Sequence, residues 1–551
     1  MSGVPVSVSL FLLFLATTLG ITWWANRRTA TAADWFTADR RLRGWQNGVA
    51  ISGGHLAAAS FVGVPGLVAL AGMDGMLYAV GFEVGLVLVM VVVAEAVSGT
   101  GRYTLGDTLA MRLRQAPVRL AVAASTLTIC LLYLVASMVA AGSVAGPLFA
   151  GQRVLGLAPD VAAIALVGVV MVVYTAAGGM LGVTWVQVVK AGLLLAGSVL
   201  LALLTLSRFG FSMPALLEAA AEGSGRGDLF LTPGLGFGHR LDLLSLGLAL
   251  AVGTAGLPHV MVRLLTVSGA GRVRSSLRWA IGMTVAFAAA ATVIGLGAAA
   301  LVGSGTVAAA DRAGNLAGPL LARALGGGAD TFGGDLLLAL MAAIAVAAIL
   351  GTLAGLTIAA ASSLARDLYA TITGRRGGAL VEHVEHREVL VARLAAPGIG
   401  LLAVALALGL RHSNAALLAG LAFAAAASAN VPALVLALFW SRFNTTGAVA
   451  GILTGLGSCL LLVLAGPMVV GPDGFLLASI RPLFPLQNPA ILSVPLGFAG
   501  AWLGTIVASR QLTALAAARK GELVAAGSFR SMRFSALTGL RLARPNGRGQ
   551  G

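Results

Sequence analysis

The 551-residue sequence is 58% hydrophobic and 10% charged, with a mean hydropathy of +0.95. So little charge excludes a soluble protein of this size and requires a polytopic membrane protein. The formal net charge is +16, but the basic residues lie in short loops and the C-terminal tail instead of on one domain face, which excludes a nucleic-acid partner and points to anionic lipid.

At roughly 20 residues per crossing, about thirteen all-helical spans are predicted, at residues 5–25, 47–72, 75–98, 118–150, 160–178, 183–206, 242–267, 276–303, 334–366, 389–410, 415–440, 446–468 and 488–508. The first lacks a basic start and is followed by Arg27 and Arg28, so it reads as a retained span and not a cleaved signal peptide. The second holds the run ISGGHLAAASFVGVPG from Ile51 to Gly66. Gly53 and Gly54 fall near its middle, followed by His55, and a glycine weakens a helix by about 1 kcal/mol relative to alanine. A break is expected there. Glu83 and Glu95 bracket the third span, with Glu83 deeper and suited to pairing with a cation, and Glu95 interfacial.

The span at 183–206 carries Gln187, placed to hydrogen-bond across helices, and Lys190, which either snorkels to the interface or pairs with an acidic residue. The span at 242–267 repeats the broken pattern: Gly253, Thr254, Ala255, Gly256, Leu257, Pro258 and His259 interrupt it, and Pro258 suits the first turn of a new half-helix. His259 reads as a structural brace and Arg263 as an anchor of the inner gate. Cys130 and Cys459 lie within apolar runs, so core packing is expected in place of a disulfide framework.

Basic residues collect in alternate loops, among them Arg40, Arg41 and Arg43, then Arg112 and Arg114, then Arg272 and Arg274, then Arg375 and Arg376, and finally the tail after Arg510. By the positive-inside rule those loops are cytoplasmic, which puts the N-terminus outside and the C-terminus inside. The two broken spans then run in opposite directions, five spans apart. That is the mark of an inverted five-plus-five repeat, with ligand expected at the unwound segments. The corresponding organisation is a first span and loop at 1–46, repeats at 47–206 and 242–440 separated by an outer loop at 207–241, two further spans at 441–508 and a basic tail at 509–551.

The loops 209–242 and 305–333 are long enough for short gating helices. Residues 371–393 contain EHVEHRE, where His383 and His386 lie three apart; the spacing admits a shared metal or a solvated charged helix, and it misses the zinc-protease patterns.

Several stretches resemble the sodium/solute symporter family, specifically its cation/acetate (monocarboxylate) branch: ADWFTADRRLRGWQNGVAISG, GRYTLGDTLAMRL, GGMLGVTWVQVVKA, GTAGLPHVMVRLLTV, AGLTIAAASSLARDLYA and LAFAAAASANVPALVLALFWSRFNTTGAVAGILTG. In the last, Arg442, Gly447, Ala448, Gly451 and Gly455 match the family signature's spacing. The resemblance spans about Asp34 to Arg510 and implies a LeuT-like fold with coupled uptake of a short monocarboxylate. It also implies a sodium site between the first and eighth core spans, using backbone carbonyls near Gly53, Leu56 and Ala348 and side chains at Gly351 and Thr352. The sequence departs from the family there. A typical pair of adjacent hydroxyl residues is reduced to Gly351 and Thr352, an acidic residue of other branches is replaced by Thr184, a glutamine by Ser137, and Gly54, His55, Leu56 and Ala57 stand where the branch carries an Asp-Tyr-Met-Ser run. The coupling ion is therefore sodium or a proton, since histidine titrates near neutrality.

For a carboxylate ligand, the half-helix starting near Leu56 offers free N–H groups and its positive dipole end. The substrate contacts expected are His55, the Ala57 backbone, the Ser60 hydroxyl, and Gly256 and Leu257 from the other broken span. No nucleophile and base pair suggests an enzyme. The competing readings are a proton-coupled carrier of another small solute and a non-transporting membrane sensor on the same fold.

Overall fold

The computed structural model describes residues 42–510, apart from 57, 99–102, 149–152, 154–155, 238, 330, 374–380 and 471–480, together with residues 16, 17, 20, 21, 23, 24, 27 and 35. The described residues are helical, with no β-structure beyond isolated bridges.

The first break appears as α1 (Gly44–His55) and α2 (Ala58–Ala71), whose axes differ by 52°. Gly53 and Gly54 remain helical; the chain departs from the helix at Leu56, whose ψ of 72° ends α1. Sequence reasoning put the new half-helix near Leu56, whereas it begins at Ala58. The glycines serve close packing instead, because a Cβ on Gly53 would lie 2.4 Å from the Gln187 carbonyl oxygen. Next comes α3 (Met73–Leu88), which continues through a π-helical turn at Val89–Val93 into Ala94–Ser98. A short α4 (Leu105–Ala110) is followed by α5 (Gln115–Leu148).

Residues 160–178 and 183–206, expected as separate spans, lie in one continuously hydrogen-bonded helix, α6 (Pro159–Arg208). At 1.5 Å per residue it far exceeds a bilayer of about 30 Å, and its apolar content divides into Pro159–Val172 and Met180–Arg208. The outer loop carries α7 (Met213–Gly223).

The second break joins α8 (Arg240–Gly253), through a 3-10 turn at Thr254–Gly256, to α9 (Pro258–Leu264) at a 41° bend. Pro258 opens α9, where its missing N–H costs nothing. Then follow α10 (Ala270–Leu301), the short α11 (Ser304–Ala310) and α12 (Ala317–Leu325) in the second long loop, and α13 (Phe332–Ser363), which runs on through a π turn at Leu364–Tyr369. The remaining helices are α14 (Val381–Gly409), α15 (Ala415–Phe439), α16 (Thr445–Leu464) and α17 (Ala490–Arg510). The side chains of His383 and His386, the first span at 5–25 for the most part, and the tail after Arg510 lie outside the described residues.

Nine helices are long and apolar enough to cross a membrane, and the two bent pairs raise the number to eleven among the described residues. The broken pairs α1/α2 and α8/α9 are the two bent spans among the described residues. Both breaks are buried: α5, α6, α10, α13 and α15 pack on α1/α2, and α3, α5, α13 and α15 on α8/α9. Irregular backbone at membrane depth survives only when protein, and not lipid, covers it. Cys130 and Cys459 are both buried and free.

Candidate functional site

The break in α1/α2 delivers His55 into an aromatic wall. Its ring sits edge-on to Phe82 at 5.1 Å and to Phe423 at 6.0 Å, and Tyr133 packs on both Phe423 (5.8 Å) and His259 (5.5 Å). Each contact comes from a different helix: α3 supplies Phe82, α5 Tyr133, α9 His259 and α15 Phe423. The Tyr133 hydroxyl donates to the His55 carbonyl at 3.4 Å.

His55 is 1% exposed, and neither of its ring nitrogens has a hydrogen-bond partner; the same holds for both nitrogens of His259 and for the Ser60 hydroxyl, among the described residues. A buried polar group left unpaired costs about 1 to 3 kcal/mol. Several gathered at the two breaks require a purpose. His259, expected as a structural brace, packs on the Tyr133 ring while its nitrogens have no hydrogen-bond partner among the described residues.

Small cavities flank the α1 break. One is bounded by His55, Leu56, Ser60, Phe82, Glu83 and Phe287, the other by Ala50, Gly54, Gln187, His259, Arg263 and Gly355. Glu83 was expected to pair with a cation; it instead accepts a hydrogen bond from Thr284 at 2.6 Å. Glu95 does sit at an exposed edge, in an ion pair with Arg274.

The other expected substrate contacts are distributed unevenly. Ala57 lies outside the described residues. Leu56 is buried and its N–H is taken by the Ser52 carbonyl at 2.6 Å. Gly256 and Leu257 are buried beside α15, and Asn430 donates to the Gly256 carbonyl at 2.7 Å. Asn430 was not anticipated; an amide inside an otherwise alanine-rich span was the available signal.

The expected cation site has a different character from its sequence outline. Gly53 meets the α6 backbone at Gln187, Gly54 and Gly355 both face the Gln187 side chain, and Gly351 faces Lys190. Gln187 of α6 thus enters between α1 and α13, and Lys190 packs on α13. Thr352 is buried, donates to the Ala348 carbonyl at 3.0 Å, and accepts a short hydrogen bond from Lys190 Nζ. Lys190 was expected to snorkel or find an acidic partner. It does neither: it is 0% exposed, and no carboxylate lies within ion-pair distance among the described residues.

Arg263 is also inside. Its guanidinium donates to Thr184 at 2.5 Å and to the Gln187 side-chain oxygen at 2.6 Å, fixing α9 to α6 through neutral oxygens. One prediction follows from this packing. Gly53→Ala is expected to lower stability by about 1 to 3 kcal/mol, the usual cost of overpacking, because the new methyl meets backbone and not a movable side chain. Thermal unfolding in detergent checks this, and an unchanged midpoint would contradict the close approach of α1 and α6.

A second polar cluster was missed by sequence reasoning. Thr104 and Asp107 form a capping box that starts α4 and aims the Asp107 carboxylate back at the chain entering it. Arg119 bridges Asp107 (2.5 Å) and Asp367 (3.1 Å), while Arg366 reaches Asp107 (3.4 Å) and Glu388 (2.6 Å). Thr104 and Ser363 each donate to Asp367 at 3.0 Å. Burial pushes the Asp107 carboxyl up, but Arg366 and Arg119 outweigh it and hold it below the usual carboxylate range. The cluster joins α4, α5, the π turn after α13, and α14 at one end of the bundle. Asp107 and Asp367 lie within GRYTLGDTLAMRL and SSLARDLYA, so the signal was present, but nothing in either stretch says that they meet.

Comparison with known proteins agrees with this architecture. Residues 35–455 match the sodium:solute symporter family. An uncharacterised symporter of Bacillus subtilis is 43% identical over 510 residues, covering 92% of this chain and 95% of that protein. A monocarboxylic acid transporter of Corynebacterium glutamicum is 40% identical over 526 residues, with 92% of each chain covered. Among solved structures, a Na+-coupled sialic acid symporter in a substrate-bound outward-open state superimposes with a TM-score of 0.66 at 17% identity, covering 90% of this chain and 97% of the other.

Proposed function

Because this chain belongs to the sodium:solute symporter family, we propose that it carries a short-chain monocarboxylate such as acetate, propionate or pyruvate by cation-coupled symport with alternating access. It is a multi-pass membrane transporter and not an enzyme. In this reading residues 47–206 and 242–440 are the two repeats, the N-terminus is outside the cell membrane and the C-terminus cytoplasmic.

The observation that carries the substrate class is the set of buried, unpartnered hydrogen-bonding groups of His55, Ser60 and His259 between the two broken helices. Imidazole N–H and hydroxyl donors set into an apolar, aromatic wall suit a small anion with a short hydrocarbon tail. The wall leaves little room for anything larger. Neutral donors bind a carboxylate without the tight grip of a buried arginine pair, which suits a carrier that must release its cargo. The 40% identity to a monocarboxylic acid transporter supports the same class. In this reading, tilting of the half-helices against the α5, α6 and α13 framework opens the site to one side at a time, and the small cavities beside the α1 break are consistent with it.

Uptake of labelled acetate into proteoliposomes tests this, with the diffusion of the neutral acid subtracted using empty vesicles. Accumulation is expected under an inward cation gradient, with propionate and pyruvate competing and acetamide not. Absence of accumulation under every gradient, for all three acids, would overturn the reading.

A further inference from the structure

We propose that the ammonium group of Lys190 stands where a coupling sodium ion would bind between α1 and α13, so that transport by this chain needs no sodium at that position. Three observations converge on it. The one hydroxyl available from the expected ligand pair, on Thr352, already accepts from Lys190 Nζ and donates to the Ala348 carbonyl. The second residue of the pair is Gly351, and a Cβ there would lie 2.7 Å from Lys190 Cδ. Glycine at 351 and lysine at 190 are thus two halves of one arrangement: the hydroxyl side chain is absent because the lysine stem fills its space. Finally, Lys190 is fully enclosed, and α6 enters so closely that Gln187 separates Gly54 from Gly355.

A sodium ion and an ammonium group sharing one hydroxyl would repel each other strongly in a low-dielectric interior. With no carboxylate within ion-pair distance of Lys190 among the described residues, nothing there compensates two positive charges side by side. The other ionisable groups nearby, His259 and Arg263 on α9, add no negative charge. Lys190 therefore fills from α6 the place of an ion that would otherwise bridge α1 and α13.

The first measurement is independent of any substrate: thermal unfolding of the purified full chain in equal concentrations of sodium, potassium and choline chloride. Equal midpoints are expected, and a saturable upward shift specific to sodium would overturn the proposal. The second rests on the monocarboxylate reading and measures initial acetate uptake with sodium replaced by choline on both sides of the vesicle. The rate is expected to be unchanged. A saturable stimulation by sodium of about fivefold or more, the lower end of ordinary coupling between sites, would overturn it. Lys190→Met keeps the stem and removes the charge, and is expected to reduce sodium-free uptake about tenfold; uptake at the wild-type rate would show that the ammonium is dispensable and overturn the proposal. If the acids are not transported at all, the substrate reading fails while the unfolding measurement still decides this one.

Discussion

Replacing His55 with phenylalanine is expected to weaken acetate uptake by about ten- to a hundredfold in apparent affinity while leaving the fold intact. The interaction lost under the proposed function is a hydrogen bond from the imidazole to a charged carboxylate, worth about 1.5 to 3 kcal/mol. The fold is spared because the ring already packs edge-on against Phe82 and Phe423 as a phenyl group would. Removing two nitrogens without hydrogen-bond partners also lifts a penalty from the substrate-free protein. The thermal midpoint should hold or rise as affinity falls. His55→Gln, which keeps a donor, should recover part of the affinity. A phenylalanine variant with unchanged KM would show that His55 does not touch the substrate.

The second large effect is on stability. Arg119→Met is expected to cost about 3 to 5 kcal/mol, the usual penalty for removing one partner from a buried ionic cluster. The guanidinium is the bridge between Asp107 and Asp367, and without it Asp367 keeps, among the described residues, the Thr104 and Ser363 hydroxyls. Adding Asp367→Asn to the same chain should restore a good part of the loss, because it removes the stranded charge. A loss below about 1 kcal/mol, the range of exposed pairs, would contradict the buried network. Acid should reproduce the effect in the wild type. A carboxylate held below its ordinary value contributes stability above about pH 4, and that contribution disappears as the pH falls through the folded value. The Asp107 contribution is therefore present at neutral pH and lost in strong acid.

How much of the site could be read in advance depends on the kind of signal. Pro258 at the start of a half-helix was legible because its missing N–H restricts it to few places in a helix. The Gly53–Gly54 pair marked the right region but for an incomplete reason. Weak helix propensity suggested unwinding at the glycines, whereas tertiary packing keeps them helical as contact points for α6 and puts the bend at Leu56. Lys190 and Arg263 were recognised as charges inside apolar segments, yet their partners were not, because Thr352, Thr184 and Gln187 are neutral residues that no charge-pairing rule selects.

By itself the sequence determined that this chain crosses a membrane many times, that two of its spans are interrupted in corresponding places, and to which family it is similar. The first two are properties of local composition and periodicity, on which the cost of burying backbone and charge in lipid acts residue by residue; the third is a resemblance carried by particular stretches such as GTAGLPHVMVRLLTV. Only the tertiary structure decided that the expected sodium ligands at Gly351 and Thr352 face an ammonium group, that His55 and His259 are left without hydrogen-bond partners in one aromatic wall, and that Arg119 bridges Asp107 and Asp367. Each of these depends on which helices meet and at what depth, and Lys190 and Thr352, 162 residues apart, acquire their relation only when α6 packs against α13.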